Sequence, residues 1–357
     1  MGGLYMKAVV YQGNGVVKVQ EVEKPTIIKA DDAIVRVTTA AICGSDLHII
    51  HGVLPVDPGT VIGHEFVGIV EEVGSAVTTV KPGDRVLSMA GINCGKCPTC
   101  RSRKVWACPN GGIFGNGPMF GNLQGVQAEF ARVQYADEVL TKIPDQLEDE
   151  QVIFVGDILA TGYLGITGVK PDDRGLIKPG GSVAIYGSGP VGLCTLAAAQ
   201  IYGAAKIIMV DPLEYRLEMA GKMGADVLIN PDKVDPVKAI LEATNGLGAE
   251  LAVEASGSDE ALYNCINSVC AAGTVNILGI VNKPIQLDFS KLIAKNITIE
   301  AGICNVIHTQ ELLDLISAAR IDMMPIITHT MPLADAEKAY DIFDKRTDGV
   351  VKIILKP

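Results

Sequence analysis

"SVAIYGSGPVGLCTLAAAQIYG", residues 182 to 203, decides the fold of the second half of this chain. A short apolar run leads into Gly187-Ser188-Gly189-Pro190-Val191-Gly192, and a helix-length apolar segment follows. In such a strand, turn and helix, Gly187 permits the tight turn and Gly189 lets the backbone approach a pyrophosphate, while Gly192 lets helix and strand pack closely. Pro190 and Val191 belong to the same phosphate-facing turn, where the unpaired N–H groups and the positive dipole end of the helix await an anion. The next apolar run, residues 206 to 211, ends in Asp211, 19 residues beyond Gly192. A carboxylate there accepts bonds from the adenosine ribose hydroxyls and repels a 2′-phosphate, so the segment predicts a dinucleotide site that prefers NAD to NADP. A glycine-rich turn alone is weak evidence, and the full order of strand, glycines, helix, strand and acid gives it weight. Arg216, five residues after Asp211, serves either the adenosine ribose or a surface ion pair.

Outward from this segment, apolar runs at 225–230, 250–256, 274–279 and 297–301 alternate with helix-length stretches. Together with 182–187 and 206–211 they make six short buried strands, which predicts an α/β, doubly wound parallel sheet. From about residue 5 to 150 the texture differs. Short β-like runs such as 33–43 and 63–74 are separated by Gly, Pro and Asp turns, as in a barrel-like or sandwich-like β domain. Beyond about 302 come a helix at 309–321, a second at 332–346 and a strand at 349–356, a tail expected to return to the first domain. The acidic segment 145–151, "DQLEDEQ", reads as a solvated connection.

Composition narrows the function. At 357 residues the chain exceeds what one hydrophobic core usually supports, so two domains are expected. The net charge of -11 argues against a nucleic-acid or anionic-membrane surface, which would want a basic face. The most apolar stretch, 183–203, is broken by glycines and a proline and makes a poor membrane span. No basic segment with a following apolar run opens the sequence, so no secretory signal is expected and the location is read as cytoplasmic. Nine cysteines, an odd number, suit a reducing compartment and thiols used as ligands better than a disulfide frame.

Four of those cysteines crowd into "NCGKCPTCRSRKVWAC", residues 93 to 108. Cys94, Cys97, Cys100 and Cys108 have the spacing C-x2-C-x2-C-x7-C, which lets neighbouring thiolates turn toward one tetrahedral ion and leaves no position open for substrate. The expectation is a structural zinc, with an iron-sulfur cluster as the main rival for the ligand set. Lys96, Arg101, Arg103 and Lys104 offset the surplus negative charge. A second constellation is mixed. "AICGSDLHIIHG" contains Cys43, Ser45, Asp46, His48 and His51; "GHEFVGIVEEVG" contains His64 and Glu65; "VGDILATGY" adds Asp157 and Thr161. None of these is conclusive alone, since a buried cysteine is usually a small hydrophobe. His51, His308 and His329 read as surface or packing residues, and Cys194, Cys265, Cys270 and Cys304 as core thiols without metal-like spacing.

These blocks resemble, in order and over nearly the whole chain, the zinc-dependent medium-chain alcohol dehydrogenase family: the "GHE" block running on as "xxGxVxxVG", the four-cysteine lobe, the "GD…TG" segment and "GSGPVG". The resemblance implies a GroES-like catalytic domain over 1–158 and 302–357, with its zinc lobe at 93–110, and a Rossmann domain over 159–301. It implies Cys43, His64 and Asp157 as protein ligands of a catalytic zinc, with Asp157 in the place where many members carry cysteine. That variation also occurs in bacterial secondary-alcohol and formaldehyde dehydrogenases. One thiolate, one imidazole and one carboxylate leave such a Zn²⁺ site formally neutral. By the same resemblance Ser45 and His48 relay the substrate proton, Asp46 orients the His64 ring, Glu65 lies behind the metal, and Thr161 lies beside the nicotinamide. Two zinc ions per chain, NAD, a small alcohol or carbonyl substrate and a homotetramer are implied with them. The branch is open between simple alcohols, polyols and formaldehyde, and a zinc-free NAD-binding relative is the non-enzymatic alternative.

Overall fold

The computed structural model describes residues 4–169, 175–303 and 306–357, so Cys304 lies outside the described residues. The chain divides into two compact units, Met1–Ala160 with Val306–Pro357, and Thr161–Asn305.

The second unit contains a six-stranded sheet, parallel throughout, in the order Val227–Ile229, Lys206–Val210, Ser182–Tyr186, Ala249–Glu254, Val269–Ile277, Thr298–Ala301. Numbered along the chain this is 3-2-1-4-5-6, the dinucleotide-fold order, and the direction of winding reverses between Ser182–Tyr186 and Ala249–Glu254. The two strands flanking that reversal are almost wholly buried, as a sheet covered on both faces demands, whereas the outermost strands keep exposed positions. One strand begins earlier than its apolar run suggests. Val269 pairs with Ala249, residues 270–273 bulge out with Ala272 at φ 59°, and regular pairing resumes at Thr274.

The first unit is β-rich. Its larger sheet runs Ile327–Pro332, Lys352–Lys356, Ala33–Ile42, Glu65–Val73, Arg85–Ser88, Leu140–Lys142, and Phe130–Val133 also pairs with Ala33–Ile42. The C-terminal strand Lys352–Lys356 therefore enters this sheet next to Ala33–Ile42, antiparallel to it. A hairpin of Tyr5–Gly13 and Val16–Glu23 turns at Asn14-Gly15, both at positive φ. The glycines of the "GHE" block have packing reasons: a Cβ on Gly68 would lie 2.3 Å from the Arg36 carbonyl oxygen on the neighbouring strand.

The acidic segment 145–151 is not a plain solvated connection. Thr38 donates to Asp149 at 2.5 Å, and Lys356 pairs with Glu150 at 2.5 Å, so it is tied to the sheet at both residues. Strand residues distant in sequence supply those partners, which the local run of acids does not reveal. No helix among the described residues is long and apolar enough to cross a membrane.

Candidate active site and metal centres

The mixed cluster is assembled from three places in the first unit. Cys43 follows the strand Ala33–Ile42 and caps the short helix Gly44–Ile50, His64 precedes and Glu65 opens the strand Glu65–Val73, and Asp157 follows the turn Ile153–Gly156. Gly156 is what lets that turn come so close, because a Cβ there would sit 2.0 Å from the Ser88 carbonyl oxygen. All four side chains bring a ligand atom within 4.8 Å of one another. Asp157 Oδ2 lies 3.4 Å from Cys43 Sγ and 3.3 Å from His64 Nε2. Ligands 2.0–2.3 Å from a tetrahedral zinc are separated by about 3.3–3.8 Å, so both Asp157 distances match Zn²⁺ and the thiol, imidazole and carboxylate donors suit it.

The surroundings orient each ligand. Ser45 Oγ is 3.1 Å from His64 Nε2, the ring nitrogen that faces Asp157. The other nitrogen, Nδ1, faces Asp46 Oδ1 at 3.5 Å, and both atoms are buried. Asp46 Oδ2 accepts from the Cys43 backbone N–H at 3.0 Å and from Gln127 Nε2 at 3.1 Å. Gln127 is held in turn by the Tyr340 hydroxyl, which donates to its Oε1 at 2.7 Å. His48, half-buried, sits three residues after Ser45 on the same helix, so the two share a face.

Charge explains the remaining neighbour. Glu65 Oε1 pairs at 2.7 Å with Lys352 Nζ, both side chains fully buried, and the ammonium lies 5.6 Å from the centre of the Phe154 ring. Burial pushes the Glu65 carboxyl up to about 8 although Lys352 pulls the other way. Burial likewise raises the Cys43 thiol, helped by the Asp157 charge. For Asp157, burial opposes ionisation, but the His64 charge and hydrogen bond hold it well below the usual carboxylate range. The His64 imidazolium is disfavoured by burial and yet favoured overall, by Cys43 and Asp157. A buried thiol and two carboxylates in contact with one imidazole form a cation-seeking set. His48 is shifted the other way, downward, by burial and by His51.

The cysteine lobe is the second cluster. Cys94, Cys97, Cys100 and Cys108 also bring their sulfurs within 4.8 Å, with Cys97–Cys100 at 3.4 Å, Cys94–Cys108 at 3.6 Å and Cys97–Cys108 at 3.8 Å. Those edges match a tetrahedral S₄ site of about 3.8 Å edge. The Thr99 hydroxyl and the Cys100 N–H hold Cys97 down at about 6, while desolvation and the neighbouring thiols push Cys100 up to about 12. Four thiols so close cannot all ionise without a cation among them.

In the second unit the fingerprint glycines separate by purpose. Gly187 has φ 103°, and a Cβ on Gly192 would lie 1.8 Å from the Gly187 carbonyl oxygen, so turn and packing require both. Gly189 is extended, and a Cβ there would meet only Arg216 Nη1, at 3.5 Å. The protein's own packing leaves that face bare, with a buried, unpartnered Arg216 Nε beside it, as a cradle for a pyrophosphate requires. This places Arg216 beside the glycine turn. Pro190 and Val191 open the helix Pro190–Ile201. Asp211 is buried, and its oxygens accept from the Ser188 N–H at 2.7 Å and the Leu213 N–H at 2.9 Å, which fixes the turn as well as presenting the carboxylate. Thr161 lies on the helix Ile158–Thr167, and the next residue, Gly162, packs that helix closely on Cys194, since a Cβ there would lie 2.4 Å from Cys194 Cβ.

Two family models match the chain, the alcohol dehydrogenase GroES-like domain over residues 29–145 and the zinc-binding dehydrogenase model over 190–318. An alcohol dehydrogenase of Cupriavidus necator is 36% identical over 370 residues, covering 99% of both chains. The chain belongs to the zinc-dependent medium-chain dehydrogenase family. Among solved structures of this family, the alcohol dehydrogenase TADH from Thermus sp. ATN1 is 40% identical, with a TM-score of 0.92 over 98% of this chain and 99% of that one. A zinc-binding dehydrogenase of Sinorhizobium meliloti 1021, bound to NADP, is 29% identical with a TM-score of 0.87 over 99% of each chain.

Other expected residues lie apart from these sites. His51 pairs with Asp344 at 2.9 Å on an exposed face, His308 with Glu311 at 2.9 Å, and His329 contacts Thr328 at 3.0 Å. Cys194 and Cys265 are buried and Cys270 half-buried, and none of the three is in a disulfide. Sequence reasoning missed Lys352, Gln127 and Tyr340. Lys352 alone had a visible signal, a lysine in the middle of the apolar run "VVKIIL".

Proposed function

We propose that this dehydrogenase is an NAD⁺-linked, zinc-dependent alcohol dehydrogenase that interconverts a small primary or secondary alcohol and its aldehyde or ketone. The observation that carries the reading is the three-donor cluster of Cys43, His64 and Asp157 at tetrahedral spacing, with the Ser45 hydroxyl 3.1 Å from His64 Nε2. These three side chains would hold a zinc ion, which would supply Lewis acidity to lower the pKa of the substrate hydroxyl. Asp46 holds the His64 ring, and Lys352 keeps Glu65 behind the ligands as a reserve carboxylate. Ser45 takes the hydroxyl proton and His48, neutral near pH 7 because its pKa is lowered, passes it to solvent. A nicotinamide held at the glycine turn would supply the acceptor for the carbinol hydride, so that alcohol and NAD⁺ would yield carbonyl compound, NADH and H⁺. Thr161 lines the nicotinamide side.

One relative carries NADP, so the fold can take the phosphorylated dinucleotide; Asp211 supports NAD here, because a 2′-phosphate would meet a buried carboxylate. The cysteine lobe would hold a structural zinc, giving two ions per chain. The catalytic domain is assigned to 1–158 and 302–357 and the dinucleotide domain to 159–301, in a cytoplasmic homotetramer. The test is NADH formation, followed by absorbance with NAD⁺ and NADP⁺ against primary alcohols, secondary alcohols, diols, polyols and formaldehyde, on protein of known zinc content. Turnover on simple alcohols with NAD⁺ is expected. Activity confined to polyols or formaldehyde moves the substrate class, and silence with one zinc per chain overturns the enzyme reading.

A further inference from the structure

Where the winding of the parallel sheet reverses, Glu254 ends its strand directly beside Tyr186, and the Ala255 N–H continues the pairing by donating to the Tyr186 carbonyl at 2.8 Å. From that point one chain segment leaves through Gly187 and the other through Ala255 to Ser258. Open α/β sheets bind their ligands in the crevice this divergence creates. The Glu254 side chain is fully buried, and it spends its carboxylate on its own loop. Oε1 accepts from the Ser256 N–H at 2.8 Å, the Ser256 hydroxyl at 2.5 Å and the Gly257 N–H at 2.9 Å; Oε2 accepts from the Gly257 N–H at 3.2 Å.

The clamp extends in both directions. Ser256 Oγ accepts from the Ser258 N–H at 3.2 Å, and Ser258 caps the following helix Asp259–Ser268 through the Ala261 N–H. The Glu254 carbonyl accepts from Leu278 and Gly279 N–H groups at 2.8 and 3.0 Å, which ties down the exit of the next strand. Gly279 has no room for a side chain, since a Cβ there would lie 2.3 Å from Glu254 Oε2. On the other side the loop rests on the first fingerprint glycine: a Cβ on Gly187 would meet the Ala255 carbonyl oxygen at 3.0 Å and Ser256 Cβ at 3.1 Å. Burying a carboxylate is costly, and burial does push this one's pKa up. A loop with no task beyond connecting strand to helix does not need that charge. Charge-assisted bonds of this kind fix a backbone more rigidly than neutral ones.

We propose that Glu254 is a positioning residue for the nicotinamide half of the bound dinucleotide. The proposal rests on the dinucleotide reading above and extends it. The strands from Ser182 to Ile229 and Asp211 form the half that takes adenosine, so the loop on the far side of the reversal walls the other half. Glu254 acts through Ala255–Ser258 and touches neither substrate nor metal.

The experiment is calorimetric titration of the zinc-loaded protein with NAD⁺ and, separately, with ADP-ribose, which lacks the nicotinamide. Glu254→Gln keeps one acceptor and turns an N–H donor against Gly257, so it should weaken NAD⁺ about tenfold and leave ADP-ribose within about twofold. Ser256→Ala, a milder change that removes one bond to the carboxylate, should shift the same ratio in the same direction by less; it serves as the test if the first variant does not fold. Equal weakening of both nucleotides, or of neither, overturns the positioning role. Failure of the unaltered protein to bind either nucleotide overturns the dinucleotide reading, and this inference with it.

Discussion

The cysteine lobe and the mixed cluster hold their ligand atoms at nearly the same spacing, 3.4–3.8 Å among the lobe sulfurs and 3.3–3.4 Å between Asp157 and its two neighbours, yet differ in everything around them. The lobe draws four identical ligands from residues 94 to 108 and braces them with groups from the same segment, such as the Cys94 N–H toward Cys108 and the Thr99 hydroxyl beside Cys97. The mixed cluster draws unlike ligands from residues 43 to 157, and further buried groups brace its surroundings: Asp46 for His64, Lys352 for Glu65, Gln127 and Tyr340 for Asp46. Four equal ligands close a coordination sphere and staple a loop. Three unequal ones, with a hydroxyl at their edge, leave a side open to a reactant.

The comparison breaks first on turnover. Asp157→Ala should lower kcat at least about a thousandfold and halve the bound zinc, with a melting temperature close to that of the unaltered protein. Retention of both zinc and turnover would mean that the mixed cluster is not the reaction centre. Next comes the buried pair. Lys352→Met strands Glu65 in the core and should cost about 3 kcal/mol in urea unfolding at pH 8, at the low end for a broken buried ion pair because the carboxyl can take up a proton. Adding Glu65→Leu should recover most of that loss; a double variant no better than the single one would show that Lys352 contributes by packing alone.

The lobe should respond in the opposite sense to the mixed cluster. Cys108→Ser is expected to release one zinc and cost about 2 kcal/mol of stability while turnover per remaining zinc stays within about threefold. A turnover loss as large as that of Asp157→Ala would erase the distinction between staple and reaction centre.

The same contrast governs what could be read without the structure. The lobe's ligands and the glycine turn are local, and local spacing carries their geometry: the two-residue spacers of the cysteines and the Gly187, Gly189, Gly192 rhythm each describe one turn of backbone. The six parallel strands were visible for a similar reason, since strands buried on both faces are continuous apolar runs. Of the groups that brace the mixed cluster, Lys352, Gln127 and Tyr340 follow no spacing at all. Lys352 meets Glu65 across 287 residues and Tyr340 meets Gln127 across 213, brought together because the C-terminal strand and helix return to the first unit. Asp149 and Glu150 misled in the same way, as acids whose partners lie on distant strands. Glu254 was silent because its partners, apart from the Ser256 hydroxyl, are backbone N–H groups, which every sequence supplies.

The smallest effect tests how the lobe is anchored. Asp137, on the helix Ala136–Val139, accepts from the N–H and hydroxyl groups of both Thr78 and Thr79 at 2.8–3.0 Å, and its neighbour Glu138 lies against Gly95 of the lobe. Burial works against its charge, but the N–H groups of Thr79 and Thr78 overcome this and bring the carboxyl from 3.8 down to about 2. A carboxyl depressed in the folded state contributes stability that is complete above its unfolded value and is lost as pH falls through the folded one. Asp137→Asn should therefore cost about 1 kcal/mol at pH 6, after allowing for solvent screening, and the deficit should shrink between pH 4 and pH 2. Urea unfolding of both proteins across that range measures it. A deficit independent of pH would mean that the carboxylate acts through shape and not through charge, and a loss of turnover at pH 7 would mean that the lobe's anchor reaches the reaction centre after all.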